Sequence, residues 1–227
     1  MTDVMIHPLD DRLRSVADFV RDKDRVIDVG TDHAYLPIAL CASGKTKNVL
    51  ATDINKGPLT AAARHIRAAG MGRSIATRQC DGVASCADFS PDTVCICGMG
   101  GDLTAAILEA APWLRRAGMR LILQPMTHAE AVRFWLCTHG FSIVDEKLSR
   151  VDKIYQTVCA DYTGENVDLS LPLAYFGPVN AARGEPLFRE MLSRQKGLWE
   201  KRRAARAAAH QPTDEEDQIL AFLGQYE

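Results

Sequence analysis

Four short stretches of the chain carry residue types that can do chemistry at backbone turns. "RVIDVGTDHAYLPIA" at 25–39 sets Asp28, Gly30 and Asp32 around what reads as the end of a strand. A dinucleotide fingerprint would need its second glycine at Asp32, because bare backbone must approach a pyrophosphate there. A carboxylate repels that group, so this turn is expected to take a ligand other than a dinucleotide, an adenosine compound still being admissible. Asp53 lies 23 residues past Gly30, a spacing at which an acidic side chain accepts hydrogen bonds from a ribose; a plain strand-end Asp has the same position. Cys80-Asp81-Gly82 closes another apolar run, where Asp81 could accept from an adenine amine or simply turn the chain. In "CGMGG" at 97–101 three glycines surround Met99, so backbone can come very close to a ligand or form a phosphate nest. The Lys-Ser/Thr pair of a P-loop does not follow, which argues against nucleotide hydrolysis.

These turns need strands and helices to bring them together. "HPLDDRLRSVADFV" repeats Leu9, Leu13, Val16 and Phe19/Val20 at helical spacing. "RVIDVG" is a short apolar strand and "AYLPIALCAS" a helix that tolerates Pro37 in its first turn. "KNVLATDI", "KGPLTAAARHIRAAG" and "RSIATRQCDG" continue as strand, helix and strand. "DTVCICGMGG", "DLTAAILEAAPWL", "MRLILQP" and "THAEAVRFWLCTHG" repeat the alternation, and "FSIVDEKLSRV" with "KIYQTVCADY" reads as a closing hairpin. Such alternation predicts an α/β fold with a doubly wound, mostly parallel sheet whose ligand lies at the carboxyl ends of the strands. The loops after Gly30, Asp53, Cys80 and Cys97 then share one crevice.

At 227 residues, 47% hydrophobic and 25% charged, the chain can form one full α/β domain with a small appendage. The opening "MTDVMIHPLDDRL" lacks a basic segment followed by an apolar core, and no apolar run approaches the roughly 20 residues of a membrane span. A soluble, cytoplasmic protein with no membrane partner is expected. The seven cysteines (41, 80, 86, 95, 97, 137 and 159) include no C-x-x-C pair, so reduced, buried thiols are expected in preference to disulfides or a zinc site. The net charge of −2 means that attraction to a polyanion must come from a local patch.

Such a patch occurs late in the chain. "TGENVDLSLPLAYFGPVNAARGEP" at 163–186 is rich in Gly, Pro and Asn, lacks helical periodicity and reads as a linker or irregular crossover. "LFREMLSRQKGLWEKRRAARAAA" then reads as a helix, and "TDEEDQILAFLGQYE" as a second one with a capping signal at Thr213 or Asp214. Eight basic residues stand against three acidic ones from Arg183 to Arg206, either a phosphate-binding face or a solvated one.

The segments "DVGTDHAYLPIAL", "ATDINKGPLTAA", "CDGV", "CGMGG", "LILQP", "VRFWL", "DKIYQTV" and "YFGP" occur in an order and spacing that resembles the TrmK family of bacterial tRNA adenine-N1 methyltransferases. The resemblance is fullest through residue 162; beyond it, the helices agree in type and position more than in residues. It implies a Rossmann-like class I methyltransferase domain at 1–162 and a small helical, hairpin-like domain at 163–227 that contacts tRNA. It further implies S-adenosyl-L-methionine (SAM) as methyl donor and N1 of adenine 22 in tRNA as acceptor. Two positions depart from the family pattern. Met126 follows Gln124-Pro125 where relatives carry Asn, and Gln156 stands where they carry Glu; Met126 cannot replace an amide's hydrogen bonds.

Carried onto the matching motifs, the resemblance assigns the donor to Asp28, Gly30, Asp53, Asp81, Gly82, Gly98, Met99 and Gly100. Gly101, Gln124 and Pro125 would line the base, and Arg202 and Arg203 would meet tRNA phosphates. A donor with a sulfonium cation and no pyrophosphate tolerates the acidic turn. Asp32 is then available to the substrate: a carboxylate accepting from adenine N6 stabilises the positive charge that grows on the ring as N1 is methylated. His33 and Tyr35 complete this catalytic group, and the other role open to Asp32 is to cap the following helix. The target base must leave its stack to reach such a pocket. DNA is not expected as a partner, and monomer and weak dimer both fit. Two rival functions are methylation of a small molecule, with the helices as lid or dimer surface, and a non-catalytic RNA-binding adaptor.

Overall fold

The computed structural model describes residues 8–226; the reading of the first seven residues as free of a leader lies outside them. Asp10 opens the first helix, its carboxylate accepting from the Leu13 N–H at 2.7 Å. That helix, α1 (Asp11–Phe19), precedes β1 (Val26–Val29), α2 (Tyr35–Ala42), β2 (Val49–Asp53), α3 (Lys56–Ala68) and β3 (Ile75–Gln79). Then follow β4 (Thr93–Met99), α4 (Gly101–Glu109), β5 (Arg120–Pro125), α5 (Ala129–Thr138) and the pair β6 (Phe141–Arg150) and β7 (Ile154–Tyr162).

The strands form one seven-stranded sheet in the order β3-β2-β1-β4-β5-β7-β6. β1 to β5 run parallel, while β7 lies antiparallel between β5 and β6. The strand order reverses between β1 and β4, and at such a switch point the loops splay apart to leave a crevice at the carboxyl ends. Strand alternation sorts the core into two layers. Ile27, Val29, Ile96 and Leu123 face Leu108, Val132 and Leu136 on one side, whereas Val26, Ala51, Cys95 and Ile122 face Val16, Leu36, Leu40 and Ile66 on the other. All seven cysteines are free thiols, with 86, 95, 137 and 159 buried. Among the described residues, no helix is long and apolar enough to cross a membrane.

The segment read as an irregular linker contains two short helices, α6 (Leu171–Phe176) and α7 (Pro178–Arg183), which join α8 (Pro186–Ala208) and α9 (Asp214–Leu223). Six residues with a proline near the start show no recoverable period; what makes these helices is their seat. Arg133 on α5 and Glu146 on β6 are fully buried and paired at 2.7 Å. Arg133 also donates to Ala174 O at 2.8 Å and to Gln156 Oε1 at 2.7 Å, and Glu146 Oε2 accepts from the Val179 and Asn180 N–H groups at 2.9 and 3.1 Å. One ion pair thereby fastens α6 and α7 to the sheet. Gly177, at φ +95°, lets the chain pass: a Cβ there would sit 2.4 Å from Glu146 Oε2. A third core of Phe176, Phe188, Leu192, Trp199, Ile219 and Leu223 binds α8 and α9 to this seat.

Candidate active site

The first turn is pinned by β2, since the Gly30 and Thr31 N–H groups both donate to Thr52 O, at 2.8 and 2.9 Å. Asp28 sits just before it, 6% exposed; burial pushes its carboxyl up to about 6, an effect that neighbouring Thr31 partly offsets. Gly30, at φ +72°, is approached by the Met99 side chain, whose Cε would lie 2.3 Å from an added Cβ. The glycine-rich motif of β4 thus lies against the turn of β1, although the two are distant in sequence.

Asp32 projects into solvent with 70% of its side chain exposed, and its carboxylate pairs with His33 Nε2 at 3.1 Å. It does not cap α2: Ala34 holds the N-cap position in a left-handed conformation, with no side-chain cap bond. His33 stacks on Tyr35 and on His65, with ring centroids 5.3 Å away in each case. His65 comes from α3 and hydrogen-bonds through Nδ1 with His33 O at 3.1 Å. The sequence reading missed it because its only signal is spatial.

The β4 turn is laced to the β5 turn through backbone. Met126 N–H donates to Met99 O and Gly101 N–H to Thr127 O, both at 2.8 Å. No side chain fits at Gly101, where a Cβ would meet His128 O at 1.9 Å. Gln124 is fully buried. Its Oε1 accepts from the Arg12 guanidinium at 2.8 Å and its Nε2 donates to Pro125 O at 3.1 Å, so the amide expected to meet a base is engaged within the chain. Arg12, also absent from the sequence reading, carries α1 to the mouth of the crevice.

A cavity of about 330 Å³ results, lined by Arg12, Asp28, Gly30, Asp32, His33, Tyr35, Cys97 and Gly98 among others. Asp53, Asp81 and Gly82 lie along the same sheet edge but outside its lining. Asp53 accepts from the Asn55 N–H at 2.7 Å, and Asp81 is exposed. The cavity combines a buried carboxyl with an incoming guanidinium. That pair suits a zwitterion, its ammonium at Asp28 and its carboxylate at Arg12, as in the amino-acid end of SAM.

Arg202 and Arg203 stand on α8, but their charges are partnered. Arg202 Nε pairs with Glu216 at 2.7 Å and its NH2 with Glu215 at 2.9 Å, while Arg203 Nε pairs with Asp217 at 2.5 Å. The local excess of basic residues is therefore offset by α9, whose first turn is acidic throughout.

A methyltransferase-domain family model matches residues 9–158. The tRNA (adenine(22)-N(1))-methyltransferase of Bacillus subtilis (strain 168) is 36% identical over 154 residues, which span 67% of this chain and 65% of that protein. The crystal structure of the B. subtilis M1A22 tRNA methyltransferase TrmK superposes with a TM-score of 0.82 at 30% identity, covering 96% of this chain and 95% of that one. A Streptococcus pneumoniae protein solved in complex with S-adenosyl-L-methionine gives a TM-score of 0.84 at 30% identity, over 96% and 99% of the two chains. The fold superposes over nearly the whole length, and the chain belongs to the methyltransferase-domain family and, within it, to the TrmK family.

Proposed function

We propose that this protein is a SAM-dependent tRNA (adenine(22)-N1)-methyltransferase. The observation that carries the reading is the meeting of the Asp28–Asp32 turn with the CGMGG turn at the switch point, in a chain aligned with TrmK from end to end. SAM supplies an electrophilic methyl group on a sulfonium. Asp28 and Arg12 hold the amino-acid end of that donor, Asp53 the ribose, and Asp81 with Gly82 the adenine edge. Gly98 and Gly100 keep bulky side chains out of the methyl channel, and Met99, packed against Gly30, narrows it. The target adenine lies beside Gly101 and Pro125, with Gln124 held behind them by Arg12, Asp32 accepting from N6, and His33 and Tyr35 stacked behind the base. Neutral N1 needs no strong base; it needs an anion where positive charge develops. Residues 1–162 form the donor domain, and 163–227 contact tRNA. The test is incubation with labelled SAM and unmodified bulk tRNA followed by nucleoside analysis. N1-methyladenosine is expected, and its absence overturns the reading.

Asp28 gives a second check. Its folded value of about 6 stands above the ordinary 3.8 of an aspartate, so it favours the fold most below pH 3.8 and loses that contribution as pH rises through 6. An ammonium beside it reverses the preference. SAM affinity is expected to rise with pH up to about 6 and then level off, with proton release on binding, read by calorimetry in buffers of different ionisation enthalpy. Asp28→Asn is expected to raise Tm at pH 8 and to weaken SAM binding.

Arg202 and Arg203 reach phosphates by exchanging their carboxylates. The exposed Arg203–Asp217 pair is worth only about 0–1 kcal/mol, so a polyanion can displace it, whereas Arg202 also holds the fully buried Glu216 and gives up that partner less readily. With about four phosphates neutralised, log affinity for tRNA is expected to fall against log salt with a slope of roughly −3 to −4. Arg203→Glu is expected to flatten it by about one unit.

A further inference from the structure

A second cleft, of about 430 Å³, runs between the β5–α5 turn and α8. Its inner end is Pro125 and Met126, directly after Gln124. Its outer wall is Tyr175 and Trp199, whose rings meet edge to face at 5.0 Å. Leu198 lies on that wall with 60% of its surface exposed, a large apolar side chain beside an aromatic pair. At the rim, Lys153 Nζ stands 5.2 Å over the Tyr155 ring. His128 stands opposite, its pKa raised by the hydrogen bond and charge of Asp102. Gln195 presents an amide from α8, and Glu130 a carboxylate from α5.

We propose that this cleft receives one unpaired nucleotide of the tRNA adjacent to the target adenine, its base against Leu198 and Tyr175 and its phosphate beside Lys153. The inference rests on the tRNA reading given above. The volume falls within the about 300–1,000 Å³ of small-ligand sites. An apolar and aromatic wall, side-chain amide and carboxylate groups, and cations both at the rim and on the wall, where Arg202 stands 4.7 Å over the Trp199 ring, form the set that holds single-stranded nucleic acid: bases pack on the wall while the backbone follows the cations. A target base drawn out of its stack also leaves its neighbour without a stacking partner, and the cleft begins where the proposed base site ends. The C-terminal helices then contribute a wall for one nucleotide in addition to charge for the backbone.

The experiment uses the full chain and an unmodified tRNA transcript. Leu198→Glu places an anion in the cleft at an exposed position, and Lys153→Glu reverses the rim charge. Each is expected to raise the tRNA KM about tenfold, the lower end of what loss of one stacked base produces. SAM affinity is expected to stay within about twofold, which also reports that both variants are folded. A benzophenone side chain in place of Leu198 is expected to crosslink within two nucleotides of the methylated adenine. Unchanged KM in both variants, or crosslinks confined to remote stems, overturns the subsite. A parent chain that methylates no tRNA overturns the proposed function instead, so the two failures are distinct.

Discussion

Asp32→Ala is expected to bind SAM and tRNA like the parent chain and to methylate at least about a hundredfold more slowly in single turnover. The structure gives Asp32 no role in the fold: its side chain is 70% exposed, it caps no helix, and its carboxylate meets His33 Nε2 of the same turn at 3.1 Å. A stability change is therefore not expected to mask the kinetic one. The exposed carboxylate is screened by solvent, and in the proposed complex a base stacked against His33 and Tyr35 would remove that screening. Its contact with N6 then strengthens as the ring becomes cationic, which is the condition for an interaction to lower a barrier and not merely to bind. A normal single-turnover rate for this variant would remove Asp32 from the chemistry and leave His33, Tyr35 or His65 to orient the base.

The largest stability effect is expected at Glu146. Its replacement by Ala leaves Arg133 fully buried without its anion, a change that costs about 3–5 kcal/mol. The Val179 and Asn180 N–H groups lose their acceptor at the same time. Urea denaturation is expected to show a lower midpoint. Glu146→Gln keeps an acceptor for those two groups and is expected to lose less. Losses below about 1 kcal/mol in both variants would mean that α6 and α7 are held by their apolar contacts alone. Gln156 bears on the same cluster: as an amide it accepts from Arg133 at 2.7 Å without adding a second negative charge to a site already balanced by Glu146.

The parallel strands were legible because most are short runs dominated by apolar residues, and their alternation with helices leaves few topologies. Asp28, Gly30 and Asp32 were legible as a site because a turn keeps neighbours in sequence close in space. Arg12 and His65 were not, since α1 and α3 bring them to the crevice from 16 residues before Asp28 and 32 residues after His33. The ion pairs of α8 were not legible for a related reason. A count along one helix cannot include carboxylates that return 13 to 14 residues later on the next. At Gln124 the residue type suggested an amide offered to a base, and only the fold reveals that Arg12 has already engaged it.

The placement of β7 inside the sheet has a consequence for how the protein is made. Ser15 on α1 hydrogen-bonds with Thr157 on β7 at 2.7 Å, across 142 residues of chain, and Lys147 on β6 reaches Asp18 at 2.8 Å. During synthesis at roughly 5–20 residues per second, α1 leaves the ribosome about 7–30 seconds before its seat exists. Until then the part of its face that packs on β6 and β7 and the open edge of β5 have no partner, so the chain stays open to non-native pairing while β6 and β7 are still being translated. Because Arg12 belongs to that same helix, the proposed donor site is completed only once the hairpin has closed the sheet.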